Sequence, residues 1–478
     1  MKSIAIVFTK SKEKSGPGAA INRPSLPHPL LNLGSYLKNK KVEVYLIDGQ
    51  VCDAKEELEK IIGQVDIIGF SVMTMQVSNS LELSDYIKQK YPEKKIIWGG
   101  IHPSLLPEQT IKDHSIDYVC QREGEGCLYE LCSEKPLNKI KNLVYKKDEK
   151  IIINPIREFI DLNKEDKPVW NILDLEKYII DTKFREIVIE RSLPLAVGRG
   201  CLFNCAFCVN TILGKKWRAL SSKEMIKRMK FLKEKYDIQH FNLADDCFDA
   251  DLKRVEDFCN TLIKEKLNVT WDVGVRAGNK WTDERMALLS KAGCLAVLIG
   301  AESGSDRILK MVTKGITTKD ILYMAEQCNK HNILLISSWI CGLPTETDED
   351  LKKTISLLKK VTQICPNCTI GFNIFRPYPN SALYFEAEKQ GFKTPKSLRE
   401  WAVKSHAGFL SGGLPWVKNY NKLKAIEFYC MNAFRYPRNI FHSVLVKFSN
   451  FRLKHNFYFF PFEIALTKFY VENLFKIK

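Results

Sequence analysis

The stretch Gly198–Cys208 reads GRGCLFNCAFC and sets Cys201, Cys205 and Cys208 at C-x3-C-x2-C spacing. The chain has 15 cysteines in 478 residues, so random placement yields such a triplet roughly 0.01 times per chain, with composition as the background. Three thiolates on one short loop suit an iron–sulfur cluster, whose irons take cysteine sulfur. A four-iron cluster on three protein ligands keeps one iron open to a small molecule. A structural zinc ion wants a fourth ligand close by, and the next cysteine along the chain is Cys247.

Downstream, apolar strand candidates alternate with helical segments. The strands are Leu195–Val197, His240–Leu243, Val269–Val275, Cys294–Gly300, Leu334–Ile340 and Thr369–Phe375. The helices are Lys223–Lys235, Leu252–Lys264, Thr282–Lys291, Ile321–Lys330, Asp348–Lys359 and Ala382–Lys389. Six such units predict a partial or full parallel barrel with its chemistry on the loops that follow the strands. Those loops carry NLADDCF (Asn242–Phe248), GVRAG around Arg276, IGAESGSDRIL around Glu302 and Ser303, WICGLPTET around Gly342, Leu343 and Pro344, and PYPNSALY around Asn380.

Upstream, the strands Ile4–Phe8, Val42–Ile47, Ile67–Ser71, Lys95–Trp98 and Ile116–Val119 alternate with the helices Leu30–Lys38, Ala54–Ile62 and Ser78–Lys90. Near-continuous apolar strands between helices predict a doubly wound parallel sheet covered on both faces. Ligands of such a sheet bind beyond the carboxyl ends of its strands. No G-x-G-x-x-G follows the first strand, which argues against a dinucleotide. Between the two modules lies an irregular segment with a hairpin, Asn142–Tyr145 against Lys150–Ile153, punctuated by Pro155 and Pro168.

The last stretch, Leu414–Lys478, holds 11 Lys/Arg against 3 Glu, and 17 of the 51 aromatic residues. Nearly half of the chain's net charge of +17 sits there. Composition elsewhere is ordinary: 45% apolar and 27% charged residues exclude wholesale disorder. The start, MKSIAIVFTK, runs into a strand rather than a leader. No uncharged stretch is longer than Val361–Phe375, which contains Pro366 and is too short to span a bilayer. These features predict a cytoplasmic protein, peripheral at a membrane if the tail docks there, with most cysteines reduced and structural. The domains read as residues 1–135, a connector at 136–192, a barrel at 193–392 and a basic, aromatic carboxyl-terminal module at 393–478.

The cysteine triplet, with Phe207 before its last member, resembles the signature of the radical S-adenosylmethionine (radical SAM) enzymes. The resemblance implies a [4Fe–4S] cluster on Cys201, Cys205 and Cys208, with SAM chelated at the open iron. It further implies that Asp245 and Asp246 face the amino group of SAM and Arg276 its carboxylate. Glu302 and Ser303 would lie at the ribose and carboxylate, and Gly342, Leu343 and Pro344 beside the adenine. Asn380 stands where the family usually has glycine.

The order of the two modules is similar to the cobalamin-binding subclass. There the loops Ser71, Val72, Met73, Thr74 and Gly99, Gly100, Ile101, His102 surround the corrin and its nucleotide tail, with Glu123 and Gly124 beside them. Arg122 stands where that subclass usually has glycine. No D-x-H-x-x-G motif is present to supply a histidine to cobalt, and His102 reads as a loop histidine.

The implied fold is α/β: an N-terminal doubly wound Rossmann-like sheet, a partial (βα)6 radical SAM barrel and a small, mainly helical C-terminal module. The implied activity is methylation of an unactivated carbon or phosphorus through a 5′-deoxyadenosyl radical and methylcobalamin. Some members of the subclass instead cyclise, rearrange or modify lipids. A competing reading is a methylthiotransferase acting on tRNA, with a second cluster on Cys52, Cys120, Cys127 or Cys132. Their placement argues against it, because Cys120 ends a strand and Cys127 and Cys132 lie five apart on a helix. Cys365 and Cys368 (CPNC) are isolated from any second pair. Expected partners are a small-molecule or lipid substrate and an external electron donor of flavodoxin or ferredoxin type, with nucleic acid disfavoured. The basic, Phe-rich tail, with FYFFPF at Phe457–Phe462, also suits peripheral contact with a membrane surface.

Overall fold

A computed structural model describes residues 1–11, 24–165, 167–184, 187–407, 412–434 and 440–467. The first sheet is built from β1 (Ile4–Phe8), β2 (Val44–Asp48), β3 (Ile67–Ser71), β4 (Lys95–Gly99), β5 (Tyr118–Cys120), β6 (Leu143–Lys147) and β7 (Lys150–Ile153), in the order β2-β1-β3-β4-β5-β6-β7. The wholly buried strand β3 and the nearly buried β1 lie side by side in the interior of the sheet. Strands β1 to β5 are parallel. The hairpin β6–β7 joins antiparallel, so the sheet continues past residue 135 into the segment that reads as a connector. The chain leaves β1 toward β2 on one side and returns to β3 on the other, which opens a crevice at the carboxyl ends of β1 and β3.

The second sheet comprises β8 (Ile180–Phe184), β9 (Ile187–Ala196), β12 (His240–Ala244), β13 (Thr270–Val275), β14 (Cys294–Glu302), β15 (Leu334–Cys341) and β16 (Cys368–Ile374); β10 (Gly198–Arg199) and β11 (Arg218–Ala219) form a separate two-residue ladder. Its order is β16-β15-β14-β13-β12-β9-β8, and all neighbours are parallel except β8 and β9. The six expected strands are therefore present in consecutive order. One more, β8, lies antiparallel along the edge, so β9 begins at Ile187 rather than near Leu193. Ile187 and Val188 are exposed there, so the apolar pattern that marks a covered strand is missing.

Six barrel helices open on a side chain that accepts a backbone N–H: Ser221, Asp251, Thr282, Thr317, Thr347 and Ser381. These caps satisfy otherwise orphaned donors and fix where each loop ends. The sheet does not close. Its free edge at β16 is covered by the helix Tyr420–Ala433, whose Glu427 accepts the Ile374 N–H at 3.0 Å and whose Met431 sulfur lies 3.0 Å from the Phe372 N–H. That cover blunts an edge that would otherwise template pairing with another chain.

The helix Leu398–Ala407 does something else: it returns to the first sheet. Its Trp401 is buried among residues of that sheet, and Arg399 reaches Asp85 at 2.6 Å and Asp113 at 2.8 Å. The carboxyl-terminal segment thus touches both sheets.

Candidate active site

The cysteine loop leaves β9 and is clamped at its two ends by the β10–β11 ladder. Gly200 has φ +80°, and a Cβ there would run into the Lys216 carbonyl, so only glycine lets the loop cross so closely. Cys205 is buried, and Cys201 and Cys208 are half-buried. Hydrogen bonding from the Cys247 thiol and from the Phe203 N–H pulls the Cys201 thiol down to about 6, whereas burial pushes Cys208 up to about 11. Among the described residues, the one His/Cys/Asp/Glu group drawn within 4.8 Å of one another is Asp85, Asp113 and His114. The three cysteines are spread wider than one mononuclear ion needs, which fits a cluster whose irons are bound one by one.

Loops from five strands converge on this segment. From β12, Asp246 accepts the Gly200 N–H at 3.1 Å. From β13, the Arg276 guanidinium stacks 3.8 Å from the Phe203 ring centroid. From β14, the Val312 carbonyl accepts the Ala206 N–H at 2.9 Å, Thr313 bonds the Asn204 carbonyl, and Lys314 lies 5.9 Å from the Phe207 ring centroid. From β15, Leu343 packs into one apolar cluster with Ala206. From β16, the Leu383 N–H reaches the Ala206 carbonyl at 2.9 Å. Every loop that carries a motif therefore touches the cysteine loop or its immediate neighbours.

The two adjacent aspartates differ. Asp245 is buried and engaged by the Trp217 indole (3.0 Å) and the Cys247 N–H (2.9 Å), with Arg254 at 3.5 Å; burial pushes its carboxyl up. Asp246 is exposed toward the cavity. On β14 the register against β15 slips between Gly300 and Glu302, and Glu302 takes φ +58°. Such a bulge re-aims a side chain at a strand end. Here it turns Glu302 onto Lys314 at 2.6 Å, both side chains nearly buried. Ser303 is buried and lies 3.2 Å from the Thr354 hydroxyl, beneath the surface. In the β15 loop, Glu346 accepts the Gly342 N–H at 2.6 Å and the Gly342 carbonyl accepts the Trp416 indole at 3.0 Å, while Leu343 and Pro344 are buried.

A cavity of about 840 Å³ lies between the carboxyl ends of the two sheets. The first sheet contributes Gly69, Ser71, Gly99, Gly100, Ile101 and the Arg122–Glu125 turn; the second contributes Gly198, Arg199, Asp245, Asp246, Asp272 and Leu298. Its walls are mostly apolar, and its size is that of a pocket for a large small molecule. Beside it, a second cavity of about 450 Å³ occupies the β1/β3 crevice and shares Ser71, Gly100 and Ile101, with Met73 on its rim. Gly100 joins the two. It has φ +94°, and a Cβ would stand 2.7 Å from the Val72 nitrogen and 2.9 Å from its carbonyl oxygen. Glycine there lets the Gly99–Ile101 turn lie directly on the Val72 backbone.

Val72, Thr74 and His102 back this wall rather than line it. His102 is sealed: Nδ1 lies 3.2 Å from the Thr74 hydroxyl and its ring sits edge-on to Trp401 at 5.5 Å. Burial pushes its pKa down to about 3. The folded value lies below the unfolded value of about 6.5, so this neutral ring's contribution to stability is complete above pH ~6.5 and is lost as pH falls toward 3. We expect His102→Phe, which keeps a ring against Trp401, to flatten the fall in denaturant midpoint across that window. An unchanged slope assigns the acid lability to another group.

Glu123 bridges the modules, accepting from Arg218 at 2.7 Å and Arg199 at 3.3 Å, and Arg199 also meets Glu125 at 2.7 Å. The two departures from family glycine both fall in the left-handed region, Arg122 at φ +58° and Asn380 at φ +63°. Glycine is at ease there, and other residues incur a cost of about 1 kcal/mol. Asn380 recovers something by donating to the Leu105 carbonyl at 2.5 Å, across the module boundary. The Arg122 backbone N–H donates to the Ser104 hydroxyl at 2.7 Å.

The sequence matches the radical SAM superfamily model over residues 195–358 and the B12 binding domain model over residues 19–132. The chain belongs to the cobalamin-binding radical SAM enzymes. Its cofactors are accordingly a [4Fe–4S] cluster, S-adenosylmethionine and cobalamin. This radical SAM enzyme is 28% identical to an uncharacterised methyltransferase of Pyrococcus horikoshii, over 80% of this chain and 83% of the relative. It is 27% identical to an anaerobic magnesium-protoporphyrin IX monomethyl ester cyclase of Rubrivivax gelatinosus, over 82% and 73%. The solved structure of the cobalamin-dependent radical SAM enzyme OxsB, with aqua-cobalamin and SAM bound, shares the fold at TM-score 0.73 and 20% identity, over 98% of this chain and 75% of that one.

Several residues of this radical SAM enzyme's site escape sequence reading. Cys247 lies far from the triplet along the chain yet meets Cys201 in space. Its thiol is pushed up by Cys201 and by burial, so it stands as a donor to Cys201. Trp217 and Arg218 lie outside every motif, and nothing local marks Arg199 within its stretch. Trp217 shows its role only where its indole donates to Asp245, and the two arginines only where they meet Glu123 and Glu125 of the first sheet.

Proposed function

We propose that this enzyme is a methyltransferase acting on an unactivated carbon or phosphorus centre of a small molecule. What supports the reading is a cavity onto which the carboxyl ends of both sheets open. When bound, the cluster and SAM supply a 5′-deoxyadenosyl radical and cobalamin supplies a carried methyl group. The chain's own part is to hold these groups against one substrate and to keep water out.

Residues 1–135 would present cobalamin, with Gly99, Gly100, Ile101, Ser71 and Met73 as contact surface and Val72, Thr74 and His102 as its backing. Glu123 and Gly124 would fix the far side through the Arg199 and Arg218 bridge. Residues 193–392 would hold the cluster on Cys201, Cys205 and Cys208. Asp246 would meet the ammonium of SAM with Asp245 positioning it, Arg276 and Glu302 would meet its polar groups with Ser303 bracing the loop beneath, and Gly342–Pro344 would flank the adenine. Residues 136–192 would complete the first sheet with β6–β7 and begin the second with β8–β9, and residues 393–478 would close the frame.

Buried Glu302 and Lys314 give a direct test of the SAM half. Glu302→Ala leaves a nearly buried ammonium without its counter-charge, so we expect a loss of about 3–5 kcal/mol in denaturant unfolding. Glu302→Gln should lose less stability but bind SAM more weakly in equilibrium dialysis. Unchanged SAM binding overturns the role of Glu302.

The experiment for the activity is anaerobic purification with iron, sulfide and cobalt analysis, followed by reduction with SAM bearing a deuterated methyl group. One four-iron cluster, stoichiometric cobalt, 5′-deoxyadenosine and label in a product support methyl transfer. Cleavage of SAM with an unlabelled product replaces it with cyclisation or rearrangement. Two clusters without cobalt replace it with methylthiolation. An external donor of flavodoxin or ferredoxin type belongs to the reading, as does peripheral attachment to a membrane. No helix among the described residues is long and apolar enough to cross one, so attachment is a matter of surface.

A further inference from the structure

The helix Ile440–His455 buries one face against the helix Tyr420–Ala433 and leaves another bare. Its exposed apolar residues are Ile440, Val444, Phe448 and Phe451, spaced four, four and three apart, which is one stripe of a helix. The segment that follows exposes four more rings, Phe457, Phe459, Phe460 and Phe462. A solvent-facing apolar surface of this kind marks an interaction site.

The loop is built to expose these rings. Arg452 is buried and paired with buried Glu463 at 2.8 Å. Its guanidinium also donates to the carbonyls of Phe459 at 2.7 Å and Phe460 at 3.1 Å. This cradle fixes the loop, and Phe460 takes φ +46° with its side chain 86% exposed and Phe459 70% exposed. A bulky residue in the left-handed region and in water is held there against two costs.

The charge around the patch has one sign. Both glutamates among the described residues from Leu414 onward are spent internally, Glu463 on Arg452 and Glu427 on the β16 edge. The charges left exposed there are lysines, including Lys447 and Lys454 beside the stripe.

We infer that this face, the Ile440–Phe451 stripe with the Phe457–Phe462 loop, docks onto an anionic lipid surface. The inference rests on the peripheral attachment proposed above and assigns its surface. Projecting aromatic rings enter the headgroup boundary while lysines meet lipid phosphates, and both are needed because neither alone holds a protein at a bilayer.

The test is co-sedimentation of the holoenzyme with phosphatidylcholine vesicles made with and without phosphatidylglycerol. Wild type is expected to bind the anionic vesicles and to release at high salt. Phe459→Ser/Phe460→Ser and, separately, Lys447→Glu/Lys454→Glu are each expected to cut the partition coefficient roughly tenfold or more, with iron and cobalt content unchanged. Wild type that ignores anionic vesicles overturns both attachment and surface. Wild type that binds while both double variants bind equally well overturns this surface and leaves attachment standing elsewhere. A concentration-dependent dimer abolished by Phe448→Ser/Phe451→Ser, with no vesicle binding, replaces the lipid with a second copy of the chain.

Discussion

Anaerobically purified Cys205→Ala protein is expected to carry almost no iron and to release 5′-deoxyadenosine from SAM only at background under reduction. The fold should survive the change. The loop is held through the backbone of the neighbouring residue, with Ala206 bonded to Val312 and to Leu383, so removal of one sulfur costs on the order of 1 kcal/mol. The loss is therefore chemical rather than structural, because three ligands are the whole protein share of the cluster. Cys247→Ala serves as the control. It touches Cys201 yet lies outside the triplet, and it should keep its iron. Retained SAM cleavage by Cys205→Ala would falsify the cluster assignment.

Gly100→Val is expected to strip cobalt from the purified protein to below about a tenth of wild type while leaving iron in place. The position has φ +94° and its added Cβ meets the Val72 backbone at 2.7 Å. A β-branched residue there incurs both left-handed strain and overpacking, together ~2–4 kcal/mol. Because such a loss threatens the module's fold, Ile101→Asp is the companion variant. Ile101 is exposed to both cavities, so the change places a charge on the wall without backbone strain. Iron retained with cobalt lost supports the Gly99–Ile101 wall as the cobalamin surface; both variants with full cobalt content move cobalamin elsewhere.

The parallel strands of both sheets were legible because covered strands are apolar on both faces, and capping side chains such as Ser221 and Thr347 mark the helix starts between them. The cysteine triplet was legible because its ligands are local. What stayed hidden depends on partners far away in sequence. Ile187 and Val188 face solvent, so only pairing with β8 makes them a strand. The hairpin at Leu143–Ile153 was visible as a hairpin, whereas its attachment to β5 was not. The bulge that turns Glu302 toward Lys314 arises from the slip against β15, which no local pattern encodes. Asn380 and Arg122 were visible as departures, and the structure supplies their cost: each holds a backbone conformation that glycine would adopt freely.

The return of Trp401 to the first sheet has a consequence for biosynthesis. The ribosome completes that sheet's strands by Ile153, but the helix that seals His102 follows only after the whole barrel has been made. At about 5–20 residues per second, that interval is roughly 12–50 seconds. Throughout it the cobalamin module waits with its His102 face bare, dependent on chaperones or on the growing barrel for cover. The first half of the enzyme is thus finished last, and truncation before Trp401 should yield a nascent chain that proteases cut within the module rather than between modules.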